Sequence, residues 1–406
     1  MYAKFLAFLK NPRLQAPRTI CLVWLLTGAV FALIKFAIGK FNNYKIFEWV
    51  YWHAREGLTL YGDYPAQYND SNHYGIIFSA IIAPFAWLPE WLGLVLWVVA
   101  NTALLYYAIR QLPLTQVQKA FIYWYAYIEL MTAQGVQQFN ISVAAFIILA
   151  YALIHQRKDF WAALVIVLGT FIKIYPIVGL AFFFFSKRKG MLVAGCFFWA
   201  AVCFFLPVLY TPGLEYVCSQ YVDWFERLQV KNALNMFATS QNISLLGLVR
   251  KLSGNPAYSD LWLIVPALIL FFIPYLRFSQ YKYLRFQLML LAHVLLFVVL
   301  FSTGSEASGY VTVMVGVALW YLCSPSSSSS SPYRKWLLIV TLIIVGVSST
   351  ELVPKFIRIG FIQPYVFKVW PCVVVWLTLC YEMIRKDFSN RQPSVFPFPE
   401  SAASHP

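Results

Sequence analysis

The stretch Asp159–Ser186, DFWAALVIVLGTFIKIYPIVGLAFFFFS, decides the fold. Its 28 residues are almost all apolar, and they lie between Arg157-Lys158 on one side and Lys187-Arg188-Lys189 on the other. A single helix through a bilayer would carry those basic groups to opposite sides. Two short helices turning at Pro176 would return them to the same side. A membrane span ordinarily takes about 20 residues, so two in this length is tight. Pro176 gives a physical reason to turn, because its ring removes a helix N–H and clashes with the preceding turn. Lys and Arg accumulate in short cytoplasmic loops, and only the hairpin keeps both basic groups inside.

Threading outward from this hairpin, with Met1–Arg18 cytoplasmic, places 19 Lys and Arg against 4 Asp and Glu on the inner loops and 12 against 12 on the outer loops and membrane edges. The whole formal net charge of +15 then falls on one side, and the chemically versatile residues fall on the other. The composition agrees with a membrane protein: 61% hydrophobic and 12% charged residues, with a mean hydropathy of +0.66. A soluble domain carries roughly 25% charged residues. The expected crossings are 19–38, 94–112, 119–134, 140–155, 160–174, 176–186, 190–208, 261–275, 286–302, 309–323, 334–348 and 367–384. The reading is an all-α polytopic membrane protein of about 12 transmembrane helices, with both termini inside and an uncleaved first helix. It forms one transmembrane domain over 1–384, with a first extracytoplasmic loop and juxtamembrane helix over 39–93 and a second large outer loop over 209–260.

Tyr74–Pro89 is a further apolar stretch, sixteen residues long with Pro84 inside. If it crossed, Arg110–Lys119 and Arg157-Lys158 would face outward, so it reads as a half-inserted helix returning to the outer face. Ser324–Pro332, with its six consecutive serines, reads as a flexible inner linker, and 385–406 as a disordered cytoplasmic tail. The basic residues come in pairs and triplets between apolar runs, which is a topology signal and excludes nucleic acid as a partner. The seven cysteines show neither a disulfide frame nor zinc-ligand spacing.

The outer face gathers Asn42, Asn43, Glu48, His53, Arg55, Glu56, Asp63, Asp70 and His73 in the first loop, then Gln137, Gln138 and Asn140, then Lys173-Ile174-Tyr175-Pro176. Further on come Gln241-Asn242-Ile243-Ser244, Glu306, Glu351, Lys355 and Arg358. Glu48, Arg55, Glu56, Asp223 and Glu226 read as solvated loop residues. Lys173 sits at the edge of an apolar run, where an ammonium is costly unless paired or hydrated; it either snorkels or meets an anion such as a lipid phosphate. Glu306 stands in a tight Ser/Gly-rich loop that suits a carboxylate at a cavity floor. Asp70 lies where the chain turns toward the membrane, and a carboxylate there can take a proton from a hydroxyl within hydrogen-bond reach. Trp49, Tyr51, Trp52, Tyr61, Tyr64, Tyr68 and Tyr74 read mainly as an interfacial belt, some able to stack on a sugar.

Four stretches in this order resemble glycosyltransferase family 87, the polyprenyl-phosphate-mannose-dependent mannosyltransferases and their Bacteroidetes-type relatives. Asn43-Tyr44 stands where the family has Asp and an aromatic. Tyr74-Gly75-Ile76-Ile77-Phe78, leading into Ala83–Pro89, is similar to Tyr-Pro-Pro-x-Phe and its continuation. Gln138-Phe139-Asn140 matches Gly-Gln-x-Asn without the glycine, and Lys173–Pro176 matches Lys-x-Tyr-Pro completely. Beside these four, a weaker similarity links Asn242–Gly247 to Asn-Gln-Ser-x-x-Gly. The resemblance implies the multi-span type C glycosyltransferase fold in a bacterial cytoplasmic membrane. It also implies a polyprenyl-phosphate-linked sugar as donor, a lipid or glycan acceptor, and inverting transfer on the extracytoplasmic face.

The family's first-loop catalytic aspartate would be Asn43, and a neutral amide cannot take a proton. That role passes to Asp70, with Asp63 and Glu306 behind it. Asn43, His73, Tyr74, Gln138, Asn140, Lys173, Tyr175, Asn242 and Ser244 are the substrate-binding candidates. No cofactor or metal is called for; Mg²⁺ or Mn²⁺ could sit between close carboxylates, but no spacing demands it. The rival classes are a lipid or polysaccharide transporter, which the nearly charge-free crossings disfavour, and a non-catalytic assembly subunit, which Asn43 keeps open.

Overall fold

The computed structural model describes residues 11–236, 238, 241–255, 257–323, 332–348 and 353–389. The expected inner linker falls almost entirely outside them, as do most of the expected tail and Glu351. Among the described residues the chain is helical, with one isolated antiparallel bridge between Gln241 and Glu306 and no strand. The helices used below are α1 (Pro17–Ala37), α2 (Asn42–Glu56), α3 (Phe78–Ala86), α4 (Glu90–Arg110), α5 (Gln116–Val136), α6 (Asn140–His155), α7 (Asp159–Ile172), α8 (Lys189–Phe205) and α9 (Leu214–Asn235). They continue with α10 (Leu245–Ser253), α11 (Leu261–Phe272), α12 (Leu284–Leu300), α13 (Tyr310–Cys323), α14 (Pro332–Ser348) and α15 (Val369–Arg385).

Pro17–Ala37, Glu90–Arg110 and Lys189–Leu209 are each 21 residues long and apolar enough to cross a membrane. Six shorter apolar helices run 10–17 residues. Leu22, Leu26, Val30 and Leu33 form an exposed stripe along α1, and Phe197, Phe198 and Phe205 do the same on α8. Such large exposed apolar side chains suit a lipid-facing surface. With the apolar composition, they make this an integral membrane protein.

Asp159–Ser186 folds back on itself. α7 occupies 14 residues, and after a break at Lys173-Ile174 the chain returns as an 11-residue 3₁₀ helix, Tyr175–Phe185. A rise of about 1.5 Å per residue in an α-helix and about 2.0 Å in a 3₁₀ helix makes the two legs nearly equal, near 21 Å. The stretched second leg is how 11 residues match 14. The ends meet: Ser186 Oγ donates to Asp159 Oδ1 at 2.5 Å. The two basic groups flanking this segment therefore lie at the same end of it.

The chain divides into two units. One comprises Leu22–Gln111 and Ala133–Ala233. Its centre is α6, buried along almost its whole length, as a helix apolar all round should be. In this unit Tyr74–Pro89 forms only the nine-residue α3, about 14 Å long and too short to span. Tyr51, Tyr61, Tyr68 and Tyr74 are buried, which corrects their assignment to an interfacial belt. They pack the first loop instead, and Tyr61 donates its hydroxyl to the Tyr74 carbonyl at 3.0 Å.

The other unit comprises Met1–Cys21, Leu112–Thr132 and Leu234–Pro406. Its core is the α12–α13 pair, buried on nearly every side. Glu129 and Lys368 form a fully buried ion pair at 2.7 Å, consistent with the rule that charges at membrane depth are paired. Arg334, one of the paired basic residues (Arg334-Lys335), is 1% exposed. It donates to the Trp320 carbonyl at 3.0 Å and lies 3.7 Å from Glu382, so its charge is spent inside the fold.

Candidate functional site

Helix ends leave carbonyls without intrahelical partners, and two such ends frame the cluster of candidate residues in the first unit. The Val136 carbonyl, at the end of α5, accepts a hydrogen bond from Asn43 Nδ2 at 2.8 Å. An aspartate at position 43 would set a carboxylate oxygen against that carbonyl, so the amide has a structural use here. The adjacent Asn42 holds Asn69 by a reciprocal pair, Asn42 Nδ2 to the Asn69 carbonyl at 2.7 Å and Asn69 N–H to Asn42 Oδ1 at 2.8 Å. That pair fixes the backbone immediately before Asp70.

The second end is Ile172, the last residue of α7, whose carbonyl accepts from the Gly75 N–H at 3.1 Å. A Cβ on residue 75 would lie 2.1 Å from the Phe171 carbonyl oxygen, so only glycine permits this approach. A proline, as in the family pattern, could not donate the bond. The junction brings Tyr74 to Lys173. Lys173 Nζ lies 5.4 Å from the Tyr74 ring centre and 5.5 Å from that of Tyr175, and donates to Asn140 Oδ1 at 2.7 Å. Asn140 Nδ2 in turn donates to Gln138 Oε1 at 2.9 Å. Gln137, preceding this pair, has φ +59° in the left-handed region where the family pattern carries glycine. Trp97 holds the strained residue by donating to its carbonyl at 2.8 Å. Behind Tyr74 stand Phe47, Phe78 and Phe139, with ring centres 5.1, 4.9 and 6.2 Å away.

Sequence reading overlooked α9. Tyr216, Gln220, Trp224, Arg227 and Lys231 recur every three or four residues, so they share one face of the helix. That face grips the first loop. Tyr216 donates to the Leu58 carbonyl at 2.6 Å, Gln220 Oε1 accepts from the Leu60 N–H at 2.8 Å, and Trp224 donates to the His73 carbonyl at 2.9 Å. Arg227 Nη2 donates to Ser71 Oγ, and Lys231 Nζ lies 3.5 Å from Asp70 Oδ2. The spacing was visible in the sequence; what it packs against was not.

Asp70 has φ +71°, a conformation that Asp tolerates better than most residues. Its carboxylate is half exposed, with Oδ1 3.8 Å from His73 Nε2. Burial lowers the His73 pKa from 6.5 to about 4; Lys231, Arg227 and Lys173 add to the shift and Asp70 opposes it. The imidazole is therefore neutral at pH 7, ringed by three cations and one carboxylate. Such surroundings suit an anion beside a proton acceptor.

Asp63 is exposed. Asn242, Ser244 and Glu306 belong to the other unit. Ser244 caps α10: its hydroxyl accepts from the Gly247 N–H at 3.0 Å and donates to Asn242 Oδ1 at 2.7 Å. Asn242 and Ser244 are fully buried, and a Cβ on Gly247 would fall 1.9 Å from the Asn242 carbonyl oxygen. The Asn-x-Ser-x-x-Gly pattern thus describes a helix cap, with Ser at the position that favours it. The Ile243 N–H donates to the Ser305 carbonyl at 2.8 Å and the Tyr310 hydroxyl to the Ile243 carbonyl at 2.9 Å, tying the Glu306 loop to this cap. Among the described residues, no group of three or more His, Cys, Asp or Glu side chains gathers to hold a metal ion.

A family model, glycosyltransferase family 87, matches residues 72–303, more than half of the chain. The match takes in His73, Tyr74, Lys173, Arg227 and Lys231; Asn43, Asp63, Asp70 and Glu306 lie outside it. No curated protein and no solved structure matches the chain.

Proposed function

Because this chain belongs to glycosyltransferase family 87, and is a membrane glycosyltransferase on that ground, we propose that it transfers a hexose, mannose first among them, from a polyprenyl-phosphate sugar to a lipid or glycan acceptor. The site faces the extracytoplasmic side of a bacterial cytoplasmic membrane. Twelve crossings with both termini inside, in a type C arrangement, fit the charge distribution and the folded-back Asp159–Ser186 hairpin.

The observation that carries this reading is the meeting of Asp70 and His73 with Lys173, Arg227 and Lys231 at the outer end of the expected spans. In the reaction, an acceptor hydroxyl attacks the anomeric carbon from the face opposite the phosphate. Asp70 takes the hydroxyl proton as general base, supplying a typical 10²–10⁴-fold of the rate. Lys173 stabilises charge developing on the departing phosphate. Asn140, Gln138 and Tyr175 hold Lys173 and adjoining sugar hydroxyls. Asn43, fastened to the Val136 carbonyl, positions the loop rather than accepting the proton. In the other unit, the Asn242–Ser244 cap is tied to the loop of Glu306, the carboxylate that stands behind Asp70 as base.

Transfer of labelled sugar from synthetic polyprenyl-phosphate mannose or glucose into lipid and glycan fractions tests this, comparing wild type with Asp70→Asn. Turnover that falls at least about 100-fold in the variant, with expression unchanged, is expected. Full turnover in Asp70→Asn would move the base to Asp63 or Glu306, and no turnover with either donor would remove the donor class.

A further inference from the structure

Three nitrogen atoms in the Asp70 cluster are buried without a hydrogen-bond partner among the described residues: Nδ1 and Nε2 of His73 and Nε of Arg227. Buried donors and acceptors are nearly always satisfied, and each exception calls for an explanation. The residues bearing these atoms are held in place by other contacts, Arg227 through Ser71 and the His73 backbone through Trp224. Lys231, unusually buried for a lysine at 16% side-chain exposure, pairs with Asp70 at 3.5 Å and also acts on His73. Lys173, Arg227 and Lys231 outnumber the single carboxylate, leaving two positive charges around a neutral imidazole. That is more charge than a phosphodiester, with its one negative charge, requires. A phosphate monoester carries about −1.5 to −2 at pH 7.

The opposite face of α9 indicates what carries the phosphate. Leu214, Val222 and Phe225 are exposed there. They follow directly on Leu209, 81% exposed at the end of the apolar span Lys189–Leu209. An amphipathic helix continuing a lipid-facing surface in this way suits the membrane boundary.

We propose that Arg227, Lys231 and His73 seat a lipid-borne phosphate monoester dianion, so that the site holds the leaving group more tightly than the intact sugar donor. This rests on the lipid-phosphate reading above and adds two ligands and a direction of preference to it. In the transfer, the acceptor oxygen bonds to the anomeric carbon while the bond from that carbon to the phosphate oxygen breaks. The electron pair stays on the phosphate, and the acceptor proton goes to Asp70. Total charge is conserved: the carboxylate becomes neutral as the phosphate gains its second charge. Lys231 loses its carboxylate partner in the same step and turns to the phosphate. The interaction thus strengthens as the bond breaks, which is the condition for accelerating the step.

The test is equilibrium binding to the purified full chain at pH 8 of a short-chain polyprenyl phosphate, its methyl diester and inorganic phosphate. Wild type should bind the monoester at least about tenfold more tightly than the diester. That ratio should shrink below about pH 6, where the monoester dianion takes up one proton and becomes a monoanion. Lys231→Met and Arg227→Met should each bring the ratio toward one, while Arg227→Lys, which keeps the charge if the larger change disturbs folding, should preserve most of it. Equal affinity for both lipids, or a preference indifferent to both methionine variants, would overturn the proposal. Inorganic phosphate competing as well as the lipid would assign the seat to a free phosphate and overturn its lipid half. Failure of both lipids to bind a folded chain would instead remove the lipid-phosphate reading beneath it.

Discussion

Acidification should weaken the fold through His73. Burial and three neighbouring cations lower its pKa from 6.5 to about 4, so between those values the unfolded chain holds a proton that the folded chain refuses. Stability from this group is complete above pH 6.5 and falls progressively to a lower plateau below pH 4. At 1.36 kcal/mol per unit, the difference is roughly 3 kcal/mol. Glu48 works the other way. Burial, assisted by Glu90 and opposed by Lys45, raises it from 4.5 to about 7. It therefore adds stability below about pH 4.5 that is lost as the pH rises through 7. The global curve mixes both groups, so the reading must come from a difference. Thermal unfolding of wild type and His73→Gln in the same detergent, from pH 4 to 7.5, isolates it. The stability gap between them should shift in favour of the variant on acidification, by an amount approaching the full value. Parallel curves across the range would refute the claim that His73 is buried neutral among cations.

Three further outcomes follow from particular contacts. Gly75→Ala places a Cβ 2.1 Å from the Phe171 carbonyl oxygen, so the Gly75–Ile172 bond must open; a loss of about 2 kcal/mol in unfolding assays and at least tenfold in transfer is expected. Asn43→Asp removes the donor to Val136 and should cost about 1–3 kcal/mol without raising turnover; a gain in transfer would show that position 43 still addresses the acceptor hydroxyl. Ser244→Ala should lower stability by about 1 kcal/mol, as loss of a helix cap does, with the donor KM unchanged; a raised KM would mark a ligand contact.

The all-helical, apolar character of the chain was legible because composition is a property of the sequence itself. Asp159–Ser186 could be read as a hairpin from Pro176 and its flanking charges, although the 3₁₀ form of the second leg, which supplies its length, left no mark in the pattern. Tyr61 and Tyr68 were misread because an aromatic cluster in an outer loop looks the same whether it meets lipid or packs on itself; burial distinguishes them. Asn242 and Ser244 look chemical in sequence, yet their hydrogen bonds are spent on a helix N-terminus. Arg227 and Lys231 show the opposite case. Their helical spacing with Trp224 was present, but a stripe of mixed polar residues acquires meaning only through its partner, here Ser71, His73 and Asp70. Gln137 keeps a glycine's backbone conformation without being glycine, which no propensity would suggest.

Photo-crosslinking with a polyprenyl phosphate carrying a diazirine next to the phosphate, followed by peptide mapping, tests the placement of the site most directly. The account predicts adducts on the segment from Asp70 to Tyr74, beside Lys173, and on the Trp224–Lys231 face of α9, competed away by the unlabelled lipid. Adducts confined to Gln241–Gly247 and Ser305–Tyr310 would contradict it.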